Sequence, residues 1–175
     1  SFTWRNQGTA VVTTESADTE VLVAFSASGT NLKGRDIAVP STPWTITACL
    51  YLAIPQVNFA DCGLYLTDGT KCLALGLGGS APYTVGVNYL NTTTSFNSTV
   101  LTMNIGFIPQ GTPIICRISD SGTTQTFSVS TDGINFVSAS QGSTATLTAT
   151  RVGYFAEANN TTSGIAVRLV NWKQT

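Results

Sequence analysis

The chain contains no histidine, so any proton transfer near neutral pH falls to nine acids. They are Glu15, Asp18, Glu20, Asp36, Asp61, Asp68, Asp120, Asp132 and Glu157. The missing imidazole removes Ser-His-Asp and Cys-His mechanisms, histidine metal sites and histidine pH switches. Glycoside hydrolysis needs two carboxyl groups about 5–9.5 Å apart across the scissile bond. The one i, i+2 acidic pair is Asp18 and Glu20, with Glu15 close by. It reads as a solvated loop or an edge strand blunted by charge. Asp68, Asp120 and Asp132 fall in turn contexts, where Asp is a turn former. There is no G-x-S-x-G elbow, and Gly76, Gly78 and Gly79 precede a β-like run rather than a phosphate-binding helix. These residues predict a protein that is not an enzyme.

Four cysteines, Cys49, Cys62, Cys72 and Cys116, contain no CxxC pair, which argues against zinc. A two-residue Asp68-Gly69 turn pairs Thr67 with Thr70. That register sets Cys62 opposite Leu75 and Cys72 on the other face, so the expectation is buried free thiols rather than a disulfide. For carbohydrate binding the candidates are Tyr51 and Tyr65, read as exposed on strand faces opposite the leucines. Asn91, Asn97, Asn159 and Asn160 join them from Asn-rich loops, where side-chain amides can bond sugar hydroxyls without charge. The same residues also read as sheet filler and soluble connectors. Scattered acids predict no cofactor and no paired metal site, though one loop Ca²⁺ is compatible with them. Asn91, Asn97, Asn159 and Asn160 also fit N-x-[ST], a pattern expected by chance in a chain so rich in Thr and Asn.

The elements that must position these groups are strands. The clearest alternation is Trp44, Ile46, Ala48, Leu50, Leu52 and Ile54 against Thr45, Thr47, Cys49, Tyr51 and Ala53, a period of two. Leu64, Leu66, Leu73, Leu75 and Leu77 continue it, as do Ile114, Cys116 and Ile118, then Phe127 and Val129. Tyr83, Val85, Val87 and Tyr89 share a face and read as core. Thirteen strands are predicted: 10–14, 20–25, 34–39, 44–54, 63–67, 71–77, 83–89, 100–104, 113–119, 124–130, 135–138, 151–157 and 165–172. No segment shows a helical period, and no linker divides residues 1–175, so one domain is expected.

Composition agrees. Charged residues are 10% of the 175, against roughly 25% in an average soluble domain. Forty-five residues are Thr or Ser, and Thr favours strands. The net charge of −1 argues against binding nucleic acid through phosphates or a membrane through a polybasic surface. No apolar run is long enough for a membrane-spanning helix, and the N-terminus has no signal-peptide core. It lacks Met, as expected of a processed chain or a fragment. The hydroxyls fall largely opposite the apolar series, which predicts a sandwich with an uncharged outer face.

Several segments in order carry a resemblance. Phe2-Thr3-Trp4-Arg5-Asn6-Gln7-Gly8 opens the chain, and Pro43-Trp44-Thr45-Ile46 starts the long strand. A Cys62–Leu73 hairpin follows. Later come Arg117-Ile118-Ser119-Asp120-Ser121-Gly122 and Ser130-Thr131-Asp132-Gly133-Ile134-Asn135-Phe136. Arg151-Val152-Gly153-Tyr154-Phe155 precedes a closing strand ending at Trp172. The series resembles the concanavalin A-like lectin/glucanase (laminin G-like) jelly roll found in tailed-bacteriophage virion proteins, and covers essentially the whole chain. The Ser130–Phe136 stretch also looks like an Asp-box, but it occurs once, whereas propellers need repeats.

The resemblance implies an all-β, two-sheet antiparallel sandwich with Phe136 returning to the core beside Phe127. It implies Gly153 at a close backbone approach and the closing strand beside the N-terminal one. It further implies a non-enzymatic virion component on the particle exterior: tail fibre, head fibre or capsid decoration. The partners would be other virion proteins or a host-surface glycan, and the oligomer a trimer by analogy with fibres. The alternatives are a secreted carbohydrate-binding module or, further off, a glycoside hydrolase on this fold. The latter's usual Glu-x-Asp-x-x-Glu strand is absent.

Overall fold

β-Branched and aromatic residues spaced by two leave the backbone one economical solution, pleated strands with one apolar face. A computed structural model describes residues 1–16, 19–53, 59–78, 84–103, 105, 111–159 and 164–175, with the side chains of Glu15 and Thr84 left aside. Within these lie β1 (Thr3–Arg5), β2 (Val11–Ser16), β3 (Thr19–Ala24), β4 (Leu32–Ala38) and β5 (Trp44–Ala53). Next come β6 (Ala60–Thr67), β7 (Cys72–Gly78), β8 (Thr84–Thr92), β9 (Ser95–Met103) and β10 (Pro113–Asp120). The last are β11 (Thr124–Ser130), β12 (Val137–Gly142), β13 (Arg151–Ala158) and β14 (Ile165–Gln174). Sheet I has the order β1-β4-β13-β6-β7-β8-β9, and sheet II the order β12-β11-β10-β5-β14-β3-β2. Every ladder is antiparallel. The fold is therefore the all-β, two-sheet antiparallel sandwich expected from the sequence.

The inner faces meet in one core. Trp44, Ile46, Ala48 and Leu50 of β5 pack with Leu64, Leu66, Leu73, Leu75, Leu77, Ile114, Cys116, Ile118, Phe127 and Val129. Burying each large apolar side chain contributes about 1.5–3 kcal/mol. Val85 and Val87 are buried there, with Tyr89 half-buried against them. A smaller cluster lies on the opposite face of sheet I: Leu32, Tyr65, Cys72, Ala74, Leu90 and Phe155. Gly153 sits where an added Cβ would lie 2.0 Å from the Arg35 carbonyl oxygen, so β13 and β4 approach as closely as expected.

Local polar chemistry changes several details. The β6–β7 hairpin closes with Thr67 opposite Cys72, which leaves residues 68–71 in the loop. The Asp68 carboxylate accepts from the Thr70 and Lys71 N–H groups and holds this wider turn. Cys62 therefore faces Leu77, while Cys72 does lie on the other face. All four cysteines are free; Cys49 is half-buried and the other three are buried.

β14 runs between β5 and β3, not beside the 10–14 strand, which is one place further out as β2. A bulge between Leu169 and Asn171 turns Trp172 inward, where its ring meets Phe2 edge-on at 4.9 Å. Phe136 does not reach the core. It lies on the outer face of sheet II beneath the Arg117 guanidinium, 3.8 Å from its ring centroid. The expected strand at 135–138 begins later because Asp132 binds the N–H groups of Ile134 and Asn135 and extends the loop. β1, unmarked by any alternation, adds a fourteenth strand.

Candidate functional site

Glycine shapes the outer face of sheet I. Gly34 and Gly63 both pair with Phe155, Gly63 with Gly76, and Gly76 with Gly86, so four glycines share one row across five strands. A row without side chains is a trough, and neighbouring side chains lie down into it. The Tyr65 hydroxyl is 2.5 Å from where a Gly34 Cβ would stand, and the Phe155 ring 3.5 Å from that of Gly63. Asp61 covers the β7 end: its oxygens lie 3.0 Å and 2.8 Å from the Cβ positions that Gly76 and Gly78 lack.

This floor lets polar groups connect laterally. Asp61 and Glu157 are directly opposed on β6 and β13, on one face. Such a pair has Cβ atoms about 4.5–5.5 Å apart. The Asn31 N–H donates to Glu157 Oε1 at 3.1 Å. Across the glycines, Asn88 Nδ2 donates to Asp61 Oδ2 at 3.4 Å, and Thr99 Oγ1 donates to Asn88 Oδ1 at 2.8 Å. The result is a polar ribbon, Glu157–Asp61–Asn88–Thr99, that runs from buried to exposed.

Burial pushes Asp61 up to about 6. Burial and the Asp61 charge push Glu157 up to about 8, against the pull of the Asn31 N–H. The two titrate as a coupled pair that shares one proton near neutral pH. The ribbon then offers one carboxylate, one neutral acid, an amide and a hydroxyl, a set suited to sugar hydroxyls. Glu157 is only 7% exposed.

The residues singled out from sequence are dispersed. Asn91 and Asn97 come together at the outer end of the ribbon's own hairpin. Each is the extra residue of a bulge, and Asn97 Nδ2 donates to Asn91 Oδ1 at 3.1 Å. Bulges re-aim side chains, and the exposed Phe96 lies beside them. Tyr51 is exposed as expected, but on the outer face of sheet II, remote from these asparagines.

Tyr65 is corrected: it is fully buried, and its hydroxyl donates to Asp36 Oδ2 at 2.7 Å because Gly34 makes room for the ring. Asn159 is also buried rather than on an exposed loop, since it bridges Ala27, and its Oδ1 has no partner. Asn160 lies outside the described residues, as do Asp18, Ile54, Gly79 and Tyr83. Sequence reasoning does not group Asp61, Glu157 and Asn88. The available signal was Gly76-Leu77-Gly78, two glycines on one strand face, which marks a surface that something else must cover.

Two further ionic clusters hold the sandwich. Asp36, fully buried, accepts from Arg5 Nε at 3.1 Å, from Arg151 Nε and from Tyr65. Glu20 is not solvated as expected: it bonds Arg35 through both oxygens and also Tyr154.

No family model and no curated protein sequence matches the chain. Solved structures do. A Bacteroides ovatus protein described as xyloglucan PUL GH43B aligns with TM-score 0.67 and 16% identity, over 93% of this chain and 33% of that one. The chain thus spans about a third of that protein's length. The Lotus tetragonolobus seed lectin aligns with TM-score 0.62 and 11% identity over 99% of this chain and 92% of its own. Lectin I from Ulex europaeus, solved with the methyl glycoside of α-L-fucose, gives 0.60 and 12% over 99% and 90%. At these identities the similarity establishes the fold: a lectin-like sandwich.

Proposed function

We propose that this chain is a non-enzymatic glycan-recognition and display module on the exterior of a bacteriophage particle, as tail fibre, head fibre or capsid decoration. The observation that carries the glycan part is the polar ribbon Glu157–Asp61–Asn88–Thr99. It lies on a lectin-like sheet and ends at an exposed Phe96 flanked by Asn91 and Asn97. Hydroxyl, amide and carboxylate groups beside an aromatic ring suit a neutral sugar. The enclosure of Glu157 supports binding without cleavage. The virion setting rests on the ordered motifs that resemble phage jelly rolls.

A glycan array tests the first part: Asp61→Ala with Asn88→Ala abolishes a signal that the unsubstituted protein gives. Mass spectrometry of purified particles tests the second, because a secreted module binds the same sugar yet is absent from them. A second reading, glycoside hydrolysis, draws on the opposed acids and their raised pKa values. Polysaccharide turnover abolished by Glu157→Gln would replace the binding proposal with that one.

A further inference from the structure

The outer face of sheet I is buried at its centre, although nothing is stacked on it. Leu32, Tyr65, Cys72, Ala74, Leu90 and Phe155 lie there and are at most 2% exposed. Among the described residues there is no third sheet and no helix to account for this. The cover comes from the sheet's own ends. Thr93, at the tip of the β8–β9 hairpin, accepts from the Leu32 N–H of β4 at 2.8 Å. Between β8 and β4 lie β7, β6 and β13, so the tip meets β4 across the outer face of all three. The inner face is no route, because the main core fills it. From the other corner, Arg5 Nη1 donates to the Gly69 carbonyl at 3.3 Å.

The tip is braced within itself and lightly tied to what it covers. Asn97 Nδ2 holds Asn91 Oδ1 at 3.1 Å, and the Thr94 N–H donates to Thr92 Oγ1 at 3.3 Å. Among the described residues, the Leu32–Thr93 bond is the one hydrogen bond from residues 91–97 to anything beyond their own hairpin. Trading one neutral hydrogen bond for water changes the free energy little. The bulges at Asn91 and Asn97 flank the Leu90–Phe96 pair, one on each strand, and interrupt the ladder where the tip begins. The tie also lands beside the acid pair. Leu32 is opposite Glu157, and Glu157 is opposite Asp61. Two consecutive N–H groups, those of Asn31 and Leu32, hold Glu157 and the tip respectively. Along the ribbon Asp61 and Asn88 are half-buried and Thr99 is exposed, whereas Glu157 is shut in.

We propose that residues 91–97 form a strap that opens at the Asn91 and Asn97 bulges by releasing Thr93 from Leu32, and that this opening governs a ligand's access to Glu157. Closed, the strap leaves a ligand the outer ribbon of Asp61, Asn88 and Thr99. Open, it extends the site along the same row to Glu157. The inference rests on the glycan reading for the nature of the ligand, and on the fold alone for the movement.

Hydrogen exchange of the unsubstituted protein in low urea tests the movement. The Leu32 amide should exchange at least about a hundredfold faster than that of Leu64 in β6, with a rate nearly flat in urea while that of Leu64 rises steeply. Equal rates and slopes would overturn the proposal, because Leu32 would then be freed only by global unfolding. Carboxyl coupling with a water-soluble carbodiimide and glycinamide, read by peptide mass mapping, tests the access. Deleting Thr92–Ser95 removes the strap but leaves Asn91, Phe96 and Asn97 in a short turn between the paired Tyr89 and Ser98. Coupling at Glu157, measured against the exposed Asp68, should rise about tenfold in the shortened chain, about what losing one closing hydrogen bond allows. An unchanged rate contradicts the proposal. Asp36, fully buried, stays uncoupled while that chain is folded, and if it does not fold the exchange experiment decides. A sugar found on the array should bind the shortened chain about tenfold more tightly, since no closed state then competes. Unchanged affinity refutes the gating. If no sugar binds at all, the glycan reading fails, while exchange and coupling still judge the strap.

Discussion

Glu157→Gln separates the cost of a buried charge from the value of its hydrogen bonds. The fold keeps a proton on Glu157 that the unfolded chain gives up near its ordinary value of 4.5, whereas the native group ionises near 8. The native state thus binds more protons in that window, and stability falls as pH rises through it. One fully linked proton gives a slope of about 1.4 kcal/mol per pH unit. Across the window this reaches about 4–5 kcal/mol, and sharing of the proton with Asp61 reduces it to about 2–4 kcal/mol. Glutamine keeps the shape, the acceptor for the Asn31 N–H and a donor where the acid carried its proton. Urea unfolding should give matching stabilities near pH 4, within about 0.5 kcal/mol, and a variant about 2–4 kcal/mol more stable near pH 8.5. If the variant is less stable at both pH values by the same amount, Glu157 is ionised in the native state and the reasoning fails.

Other expectations follow from the same packing. Asp36→Asn removes the charge shared by Arg5 and Arg151; because both arginines are partly solvated, the cost is about 2–3 kcal/mol. Hydrogen exchange at Phe2–Arg5 should rise with it, and unchanged protection there refutes the clasp. Gly153→Ala forces β13 from the Arg35 carbonyl and should cost about 2–3 kcal/mol, whereas Gly86→Ala, with its nearest atom at 3.4 Å, should cost under about 1 kcal/mol. Equal losses in melting temperature contradict that contrast. Burial disfavours the thiolate at every cysteine and pushes Cys72 up to about 11. A thiol reagent should label half-buried Cys49 first in the native protein, and uniform labelling of all four argues against it.

Strand faces were legible because alternation records burial directly. β5, β7, β10 and β11 turn inward the residues expected of them. Register was less legible, because it depends on turn chemistry: the Asp68 carboxylate widens one hairpin and Asp132 delays β12. Trp172 points inward only because Val170 is an unpaired extra residue in β14. Site residues were the hardest to read. Tyr65 looked like an exposed ring because its two coverings, Asp36 and the gap at Gly34, come from another strand. Asp61 and Glu157 meet only through the β6–β13 ladder, a pairing that no local pattern encodes. Asn91 and Asn97, read as loop residues, lie instead at bulges in β8 and β9, because those strands run on to a tight turn.

The two strands that follow the other twelve in chain order are interior, one in each sheet. β13 lies between β4 and β6, and β14 between β3 and β5. During synthesis, at about 5–20 residues per second, the nascent chain therefore holds four strand edges with no neighbour to close them. Neither sheet becomes continuous, and the Asp36 clasp cannot receive Arg151, until β13 and β14 have left the ribosome. Pairings of such long sequence separation belong to slow folders. A ribosome that stalls before Arg151 releases four groups of strands, two from each sheet, rather than a shortened sandwich.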